Sequence, residues 1–385
     1  MAKDIFLTNC IYWKGRTPCI IQKTTKQKNC RNCSAYKPCR KNILIIKTGG
    51  LGSIIRSIVV AQEFQYKFEK DNCRIQYLTH KKGVDLLKHV SAVDDALDID
   101  DWKSLNFLTV QKFDIVVNFE CSKMALVAAG KIIADSKFGF LPDFKGSPYI
   151  KRSNNMEIVK LQTDDFFRKN INKKCMQQIF LETAGLIWKK QRYQLCINEA
   201  DNAYAKKIFS KINIIQKNKI IGLNIGSSRK QRKKRWDIKR FMALINIIIS
   251  NHPDWKIVIL AGPEEVDLYE KVYFFCRENF FTNVIFPGCH NTIGQFIAIV
   301  NHVNLVVSCD TFGMHVAIAL GKKVITLNGP QPIQETEIYG LGEKLKSQVF
   351  CSPCFLVQNN CSGKCMKINE SIVYQAILRT LNLLK

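Results

Sequence analysis

The sequence predicts an α/β protein in which two doubly wound parallel sheets follow one another along the chain. Three observations carry this expectation. The 385 residues exceed what one ordinary hydrophobic core organises. Short apolar runs of strand length alternate with stretches whose apolar residues recur at helical spacing. The same alternation starts afresh in the second half. With 46% hydrophobic and 10% aromatic residues the chain has material for two cores, and 20 Gly and 10 Pro exclude a collagen-like or linker-dominated architecture.

In the first half, Asn42–Lys47 (NILIIK) is a buried strand opening into the turn Thr48-Gly49-Gly50-Leu51-Gly52-Ser53. A helix over Ile54–Phe68 follows, then a strand over Arg74–Thr79, a helix over Val84–Lys88 and a short apolar run at Ala96-Leu97. Phe113–Phe119 (FDIVVNF) is the next buried strand with Glu120 at its exit, Met124–Ala134 the next helix and Lys137–Phe140 an edge run. In the second half the strands are Ile220–Asn224, Lys256–Leu260, Val284–Phe286, Leu305–Ser308 and Lys323–Leu327. The helices between and after them are Ile238–Ser250, Glu264–Glu278, Ile293–Asn301, Gly313–Leu320 and Ser371–Leu384. The polar stretch Asn198–Asp201 is the expected linker. The chain then divides into a Cys-rich segment 1–40, a first domain 41–197, a second domain 198–350 and a closing segment 351–385. Such sheets bind ligands beyond the carboxyl ends of their strands, so chemistry is expected after Lys47, Phe119, Asn224, Leu260, Phe286 and Ser308.

Lys and Arg number 58 against 32 Asp and Glu, a net charge of +26. A basic surface attracts phosphate in nucleic acid, anionic lipid or sugar phosphate. Dispersed lysines such as Lys67, Lys70, Lys81 and Lys82 fit a lysine-rich coding bias instead. The run Arg229-Lys230-Gln231-Arg232-Lys233-Lys234-Arg235 does not, because it is concentrated, follows the turn Gly226-Ser227-Ser228 and ends at Trp236 before a helix. No stretch approaches the about 18 apolar residues of a membrane span, and Met1–Lys14 lacks a signal-peptide pattern, so a cytoplasmic protein with reduced thiols is expected.

Of the 16 cysteines, Cys10, Cys19, Cys30, Cys33 and Cys39 cluster near the start, and Cys351, Cys354, Cys361 and Cys365 near the end. Cys351-x-x-Cys354-x6-Cys361-x3-Cys365 offers four thiolates in a short loop suited to tetrahedral zinc or a single iron. Cys30-x-x-Cys33-x5-Cys39, with Cys10 and Cys19 upstream, is a second candidate site. The alternative for each set is free cysteines buried in packed termini.

Gly49, Gly50 and Gly52 let backbone approach an anion at a helix N-terminus, although their spacing matches neither common phosphate-loop pattern, and a ligand-free turn is the alternative. Ser227 and Lys234 place a hydroxyl and an ammonium beyond a buried strand, an arrangement that suits a diphosphate. Cys309-Asp310-Thr311-Phe312-Gly313-Met314-His315 sits between a strand and an apolar helix. Individually Asp310 reads equally as a helix cap and His315 as a buried helix histidine. Together with Gly321 and Asn328-Gly329-Pro330 they form a more specific set.

The succession Ile43–Gly52, Lys234-Arg235-Trp236, Ala261-Gly262-Pro263-Glu264, Asp310–His315 and Leu327-Asn328-Gly329-Pro330 resembles glycosyltransferase family 9, the ADP-heptose heptosyltransferases, from about Lys41 to Ile372. The resemblance implies a GT-B fold of two Rossmann-like domains facing a cleft, with the nucleotide-sugar donor on the C-terminal half and the acceptor on the N-terminal half. It also implies a last helix that crosses back. By the same resemblance Lys234 meets the donor diphosphate, Glu264 the ribose, the Pro287–Thr292 loop the adenine, and Asp310, Thr311, Gly313 and His315 the phosphate-sugar end. Such enzymes invert the anomeric centre without a catalytic metal. The cysteine finger is similar to that of iron-containing heptosyltransferases that modify autotransporter proteins.

One departure concerns the base. The family pattern closes its first glycine turn with an aspartate that deprotonates the acceptor hydroxyl, and Ser53 stands there. A serine hydroxyl is too weak a base near neutral pH. Glu120 is the first replacement considered and Asp165 the second, against the alternative of a solvated strand end for Glu120. Arg56, one helical turn past Ser53, suits an anionic acceptor. The reading is therefore an inverting glycosyltransferase using an ADP-sugar, with a lipopolysaccharide-type saccharide or a protein as acceptor and peripheral contact with the inner membrane face. Nucleic acid is not the expected partner. The rival is an inactive GT-B scaffold that binds nucleotide-sugar or nucleic acid, and a third reading is a sugar-nucleotide epimerase.

Overall fold

A computed structural model describes residues 7–13, 19–25, 30–150, 157–210, 219–227, 229–355 and 361–384. The chain packs as two compact units: Met1–Gly49, Ser57–Asn155 and Leu181–Leu186 form the first, and Gly50–Arg56, Met156–Phe180 and Ile187–Lys385 the second.

A short helix α1 (Ile20–Thr25) precedes the first sheet, whose strands are β1 (Lys41–Ile46), β2 (Cys73–Thr79), β3 (Asp95–Asp98), β4 (Lys112–Asn118), β5 (Ile133–Pro142) and β6 (Pro148–Ile150). Helices α2 (Leu51–Lys67), α3 (Lys81–Leu87), α4 (Trp102–Thr109) and α5 (Lys123–Lys131) connect them. The strand order is β3-β2-β1-β4-β5-β6, parallel except for β6. Ile43 to Ile46 are wholly buried, because a parallel strand covered on both faces reads as an unbroken apolar run.

Helices α6 (Glu157–Thr163), α7 (Met176–Thr183) and α8 (Glu199–Phe209) lead to the second sheet. Its strands are β7 (Ile220–Asn224), β8 (Lys256–Leu260), β9 (Val284–Ile285), β10 (Leu305–Cys309), β11 (Lys323–Asn328) and β12 (Gly342–Lys346). Helices α9 (Ile238–Asn251), α10 (Val266–Glu278), α11 (Ile293–Asn301), α12 (Phe312–Ala319) and α13 (Glu370–Thr380) complete the unit. The order β12-β11-β10-β7-β8-β9, parallel throughout, repeats that of the first sheet. In each sheet the chain reverses direction between the first and fourth strands, β1/β4 and β7/β10. That switch point is where doubly wound sheets leave a crevice for ligand.

Several expectations need correction. Residues 137–140 are part of a longer strand, the ten-residue β5, whose residues 137–139 pair with β4 on one side and lie at the edge on the other, β6 pairing only from Phe140 onward. The helix predicted to reach Ala134 stops at Lys131, because Ile133-Ala134 already pair in β5 with Lys112-Phe113. Asn198–Asp201 is the start of α8 and not a linker, since the Asn198 side chain accepts from Asp201 N at 2.8 Å. Between residues 156 and 197 the chain alternates between the units, 156–180 and 187–197 grouping with the second and 181–186 with the first, and Arg168 pairs with Glu335 at 2.5 Å. The last helix is α13. It packs on α9 and β11, and Val373, Ala376 and Ile377 join Cys365, Met366 and Ile368 in the second core. The segment 351–385 is thus an integral part of that unit.

Candidate functional site

Asn224 closes β7 and donates from Nδ2 to Ser308 Oγ and Thr311 Oγ1, both at 2.8 Å. These bonds tie the ends of β7 and β10 together at the switch point of the second sheet. Thr311 stands at the N-cap of α12, and its hydroxyl serves Asn224 instead of capping the helix. Gly313 is required here, because a Cβ would lie 2.8 Å from Asn224 Cγ.

The end of the basic run is not a solvated charge loop. Lys234 Nζ lies 3.3 Å from Asp310 Oδ2, with both side chains largely buried. Arg235 donates to the Ser227 carbonyl and pairs with Glu265 at 3.2 Å. Trp236 donates its backbone N–H to Cys309 Sγ at 3.3 Å and its indole N–H to the Ile368 carbonyl at 2.9 Å. Three consecutive side chains are thus locked in three directions, and Lys234 is the one aimed at Asp310. Ser228 lies outside the described residues, as do the side chains of Arg229, Lys230 and Gln231.

His315, 1% exposed, extends the cluster. Its Nε2 is 3.6 Å from Asp310 Oδ1 and its Nδ1 is 2.9 Å from Tyr193 Oη. Burial keeps the Tyr193 phenol neutral, its pKa raised well above the ordinary value. Because the ionised Asp310 carboxylate can only accept, the ring proton belongs on Nε2, which faces it, and Nδ1 is left to accept from the Tyr193 O–H. Burial lowers the His315 pKa to about 4 although Asp310 favours its charged form, so the imidazole is neutral at pH 7. For Asp310 burial opposes ionisation, but Lys234, His315 and Arg56 outweigh it and hold the carboxyl well below the usual range. Gly52 comes so near that a Cβ would stand 3.2 Å from His315 Cδ2, and its carbonyl accepts from Arg56 Nε at 3.1 Å. Two fixed cations, Lys234 and Arg56, therefore face one carboxylate and a neutral imidazole. This cluster of the second unit has an excess positive charge that an anion would neutralise.

Ser53 is half-buried in the first turn of α2, its N–H bonded to Gly50 O at 2.7 Å. Glu264 is exposed on the turn after β8, whereas its neighbour Glu265 is buried and accepts from Gly262 N at 3.0 Å. In the 287–292 loop, Gly288 N–H donates to Tyr269 Oη at 2.6 Å and Asn291 Oδ1 accepts from Tyr204 at 2.8 Å. Asp165 is exposed beside the π-helical turn Phe167–Ile171.

In the first unit, Glu120 Oε1 pairs with Lys47 Nζ and accepts from Gly49 N at 3.0 Å. Asn118 sets this exit: its Nδ2 donates to Glu120 O at 2.9 Å and to Phe140 O at 2.7 Å. Glu120 is thus anchored at the switch point of the first sheet through one oxygen.

The cysteine sets are less compact than expected. Among the described residues the group of three or more ligand atoms within 4.8 Å of one another is His80, Asp98 and Asp100, which includes no cysteine. Cys39 leads straight into β1, its Sγ 3.4 Å from Lys41 O and close to Cys73. Burial pushes the Cys365 thiol up to about 11, and Cys354, Cys361 and Cys351 add to that, which places all four in one neighbourhood.

Sequence reasoning missed Tyr193 and Glu265, and named Asn224 and Lys47 only as strand ends and Arg235 only within the run that leads to Trp236. Tyr193 and His315 are 122 residues apart and share no local pattern. The others stood beside residues that were singled out.

Residues 108–364 match the family model of glycosyltransferase family 9 (heptosyltransferase). The chain is similar to lipopolysaccharide heptosyltransferase 1 of Campylobacter coli, 24% identical over 316 residues that cover 75% of this chain and 84% of that one. The glycosyl transferase family 9 structure from Veillonella parvula superposes with a TM-score of 0.70 at 19% identity, over 90% of this chain and 98% of the other. The dodecameric iron-containing heptosyltransferase TibC of enterotoxigenic E. coli, solved also in complex with ADP-D-beta-D-heptose, superposes at TM-scores of 0.54 and 0.53 with 11% identity, over 90% of this chain and 77% of that one. These likenesses place the fold in the GT-B class.

Proposed function

The chain belongs to glycosyltransferase family 9 and is a glycosyltransferase, and on that premise we propose that it transfers heptose from ADP-heptose to a hydroxyl of a lipopolysaccharide-type saccharide. The observation that carries the donor side is the buried group of Lys234, Asp310, His315 and Arg56, where cationic charge exceeds anionic by one. A diphosphate supplies the missing negative charge. Lys234 meets it as a point charge, with Ser227, Gly50, Gly52, Thr311 and Gly313 as close-approach partners. Asp310 holds Lys234 and His315 in place. Glu264, exposed after β8, is the ribose partner, and the 287–292 loop flanks the adenine.

Inversion needs a base for the acceptor hydroxyl. Glu120 is that base in this reading. Lys47 and the Gly49 N–H engage its Oε1 and hold it oriented, and Oε2 takes the proton. Asp165 is the second choice, and Ser53 orients the hydroxyl without ionising it. Gly49 shapes the turn. Arg56 answers an anionic acceptor, lipid-linked or protein-borne.

No catalytic metal enters this mechanism. Cys351, Cys354, Cys361 and Cys365 would hold a structural zinc or iron, a soft thiolate set drawn into one neighbourhood around Cys365. Cys30, Cys33 and Cys39 would contribute to a second such site. No helix among the described residues is long and apolar enough to cross a membrane, and a cytoplasmic enzyme with peripheral contact at the inner membrane face is proposed. Ser53 favours a rival, a scaffold that binds the nucleotide-sugar without turnover. Titration of the purified protein with ADP-heptose, with UDP- and GDP-sugars as controls, followed by release of ADP on adding acceptor, separates them. Selective binding with turnover supports the transferase, binding alone supports the scaffold, and no binding removes both.

A further inference from the structure

Helices α4 and α5 lie side by side on one face of the first sheet. Leu105 and Leu108 of α4 and Ala125, Ala128 and Ala129 of α5 pack with Leu44, Ile46 and Val116 in a single core cluster. Their outward arcs are therefore neighbours in the outer layer of the first unit. At 100° per residue, positions 102, 103, 106, 107 and 110 fall within about 140° of one another, and 123, 124, 127 and 131 within about 100°.

These outward arcs are apolar to a degree that solvent does not explain. Trp102 is 67% exposed, Phe107 56% and Val110 81%, and Met124 and Val127 are about half exposed on the neighbouring helix. Exposed apolar patches of this kind mark interaction surfaces. Interleaved with them are the exposed lysines Lys103, Lys123 and Lys131, and Lys103 Nζ lies 5.9 Å above the Trp102 ring. Neither arc carries a carboxylate. Asp101, which adjoins α4, turns its side chain back to cap the helix through Lys103 N and Ser104 N, both at 3.2 Å.

We propose that this α4/α5 face docks the protein on the surface of an anionic phospholipid membrane, with the Trp102, Phe107, Val110, Met124 and Val127 side chains entering the headgroup boundary and Lys103, Lys123 and Lys131 meeting lipid phosphates. Tryptophan is the residue best suited to that boundary, and lysine stems lie along apolar surface while their ammonium groups reach phosphate. Charge complementarity selects the occupant. A second copy of a chain with net charge +26 would bring lysines against lysines, whereas an anionic bilayer answers the apolar and cationic groups together. The inference rests on the lipid-linked acceptor proposed above.

The test is flotation of the full-length protein with vesicles of phosphatidylcholine alone and of phosphatidylcholine with 30% phosphatidylglycerol. It compares wild type with Trp102→Ser/Phe107→Ser and with Lys103→Glu/Lys123→Glu/Lys131→Glu, and ADP binding by each protein is measured alongside. Wild type should float only with anionic vesicles, both variants should lose at least tenfold in partition, and ADP binding should stay unchanged as proof that they fold. Equal partition by all three proteins would overturn the surface. So would a loss of self-association in the variants with no loss of vesicle binding. Absent ADP binding by wild type is a different failure, that of the transferase reading, and it is seen without vesicles.

Discussion

Tyr193 Oη lies 2.9 Å from His315 Nδ1 and, as a hydroxyl donor there, matches the tautomer whose ring proton sits on Nε2. Asp310, on the other side of the ring, sees an N–H from Nε2 and not a lone pair. Replacing Tyr193 by Phe removes the donor and leaves Nδ1 buried without it, a loss of about 1–3 kcal/mol in urea unfolding. Ring 15N shifts should report a single Nε2–H tautomer in the wild type and a mixture in the variant, with the donor KM raised several-fold and kcat little changed. A single unchanged tautomer in Tyr193→Phe would show that Asp310 alone sets it.

His315 also makes stability depend on pH. Its pKa is about 4 when folded against an ordinary 6.5, so between these values the unfolded chain binds a proton that the folded chain refuses. Stability should fall as pH drops from 6.5 to 4, by up to about 1.4 kcal/mol per unit. Asp310, held still lower, contributes its loss only below that window. Thermal melts across the range should be flatter for His315→Gln, and parallel curves would remove His315 as the source.

Glu120 is anchored by Lys47, so Glu120→Gln has two effects. The Lys47 ammonium, 8% exposed, loses its counter-charge, a cost of about 3 kcal/mol or more. Turnover should fall at least a hundredfold if Glu120 takes the acceptor proton. Lys47→Met/Glu120→Gln should recover stability without recovering turnover. Recovery of both, or a comparable fall in Asp165→Asn alone, would move the base elsewhere.

The C-terminal cysteines should bind one equivalent of zinc or iron. Elemental analysis of the Cys351→Ser/Cys354→Ser protein is expected to show that equivalent lost, with a lower Tm because Cys365 and Met366 belong to the second core. Unchanged metal content would return these residues to the role of packed thiols.

What the sequence revealed follows from where each residue sits. Strands β1, β7, β10 and β11 are buried on both faces, so their apolar runs were legible. Strand β12, Gly342–Lys346 (GEKLK), lies at an edge and carries polar residues, and nothing in its pattern marks a strand. Lys234, Asp310 and His315 were legible because they follow buried strands. Glu264 and Glu265 are adjacent, and only the fold decides that Glu265 turns inward to Arg235. Tyr193 reaches the site through tertiary packing, for which periodicity has no signal.

The central claim is that Lys234, poised on Asp310 at 3.3 Å, receives the donor diphosphate. Calorimetric titration of ADP and of adenosine into wild type and Lys234→Ala tests it most directly, because the two ligands differ only in the diphosphate. ADP should bind wild type at least tenfold more tightly than adenosine, and Lys234→Ala should lose most of that advantage while adenosine binding stays the same. An ADP affinity unchanged by Lys234→Ala would contradict the claim.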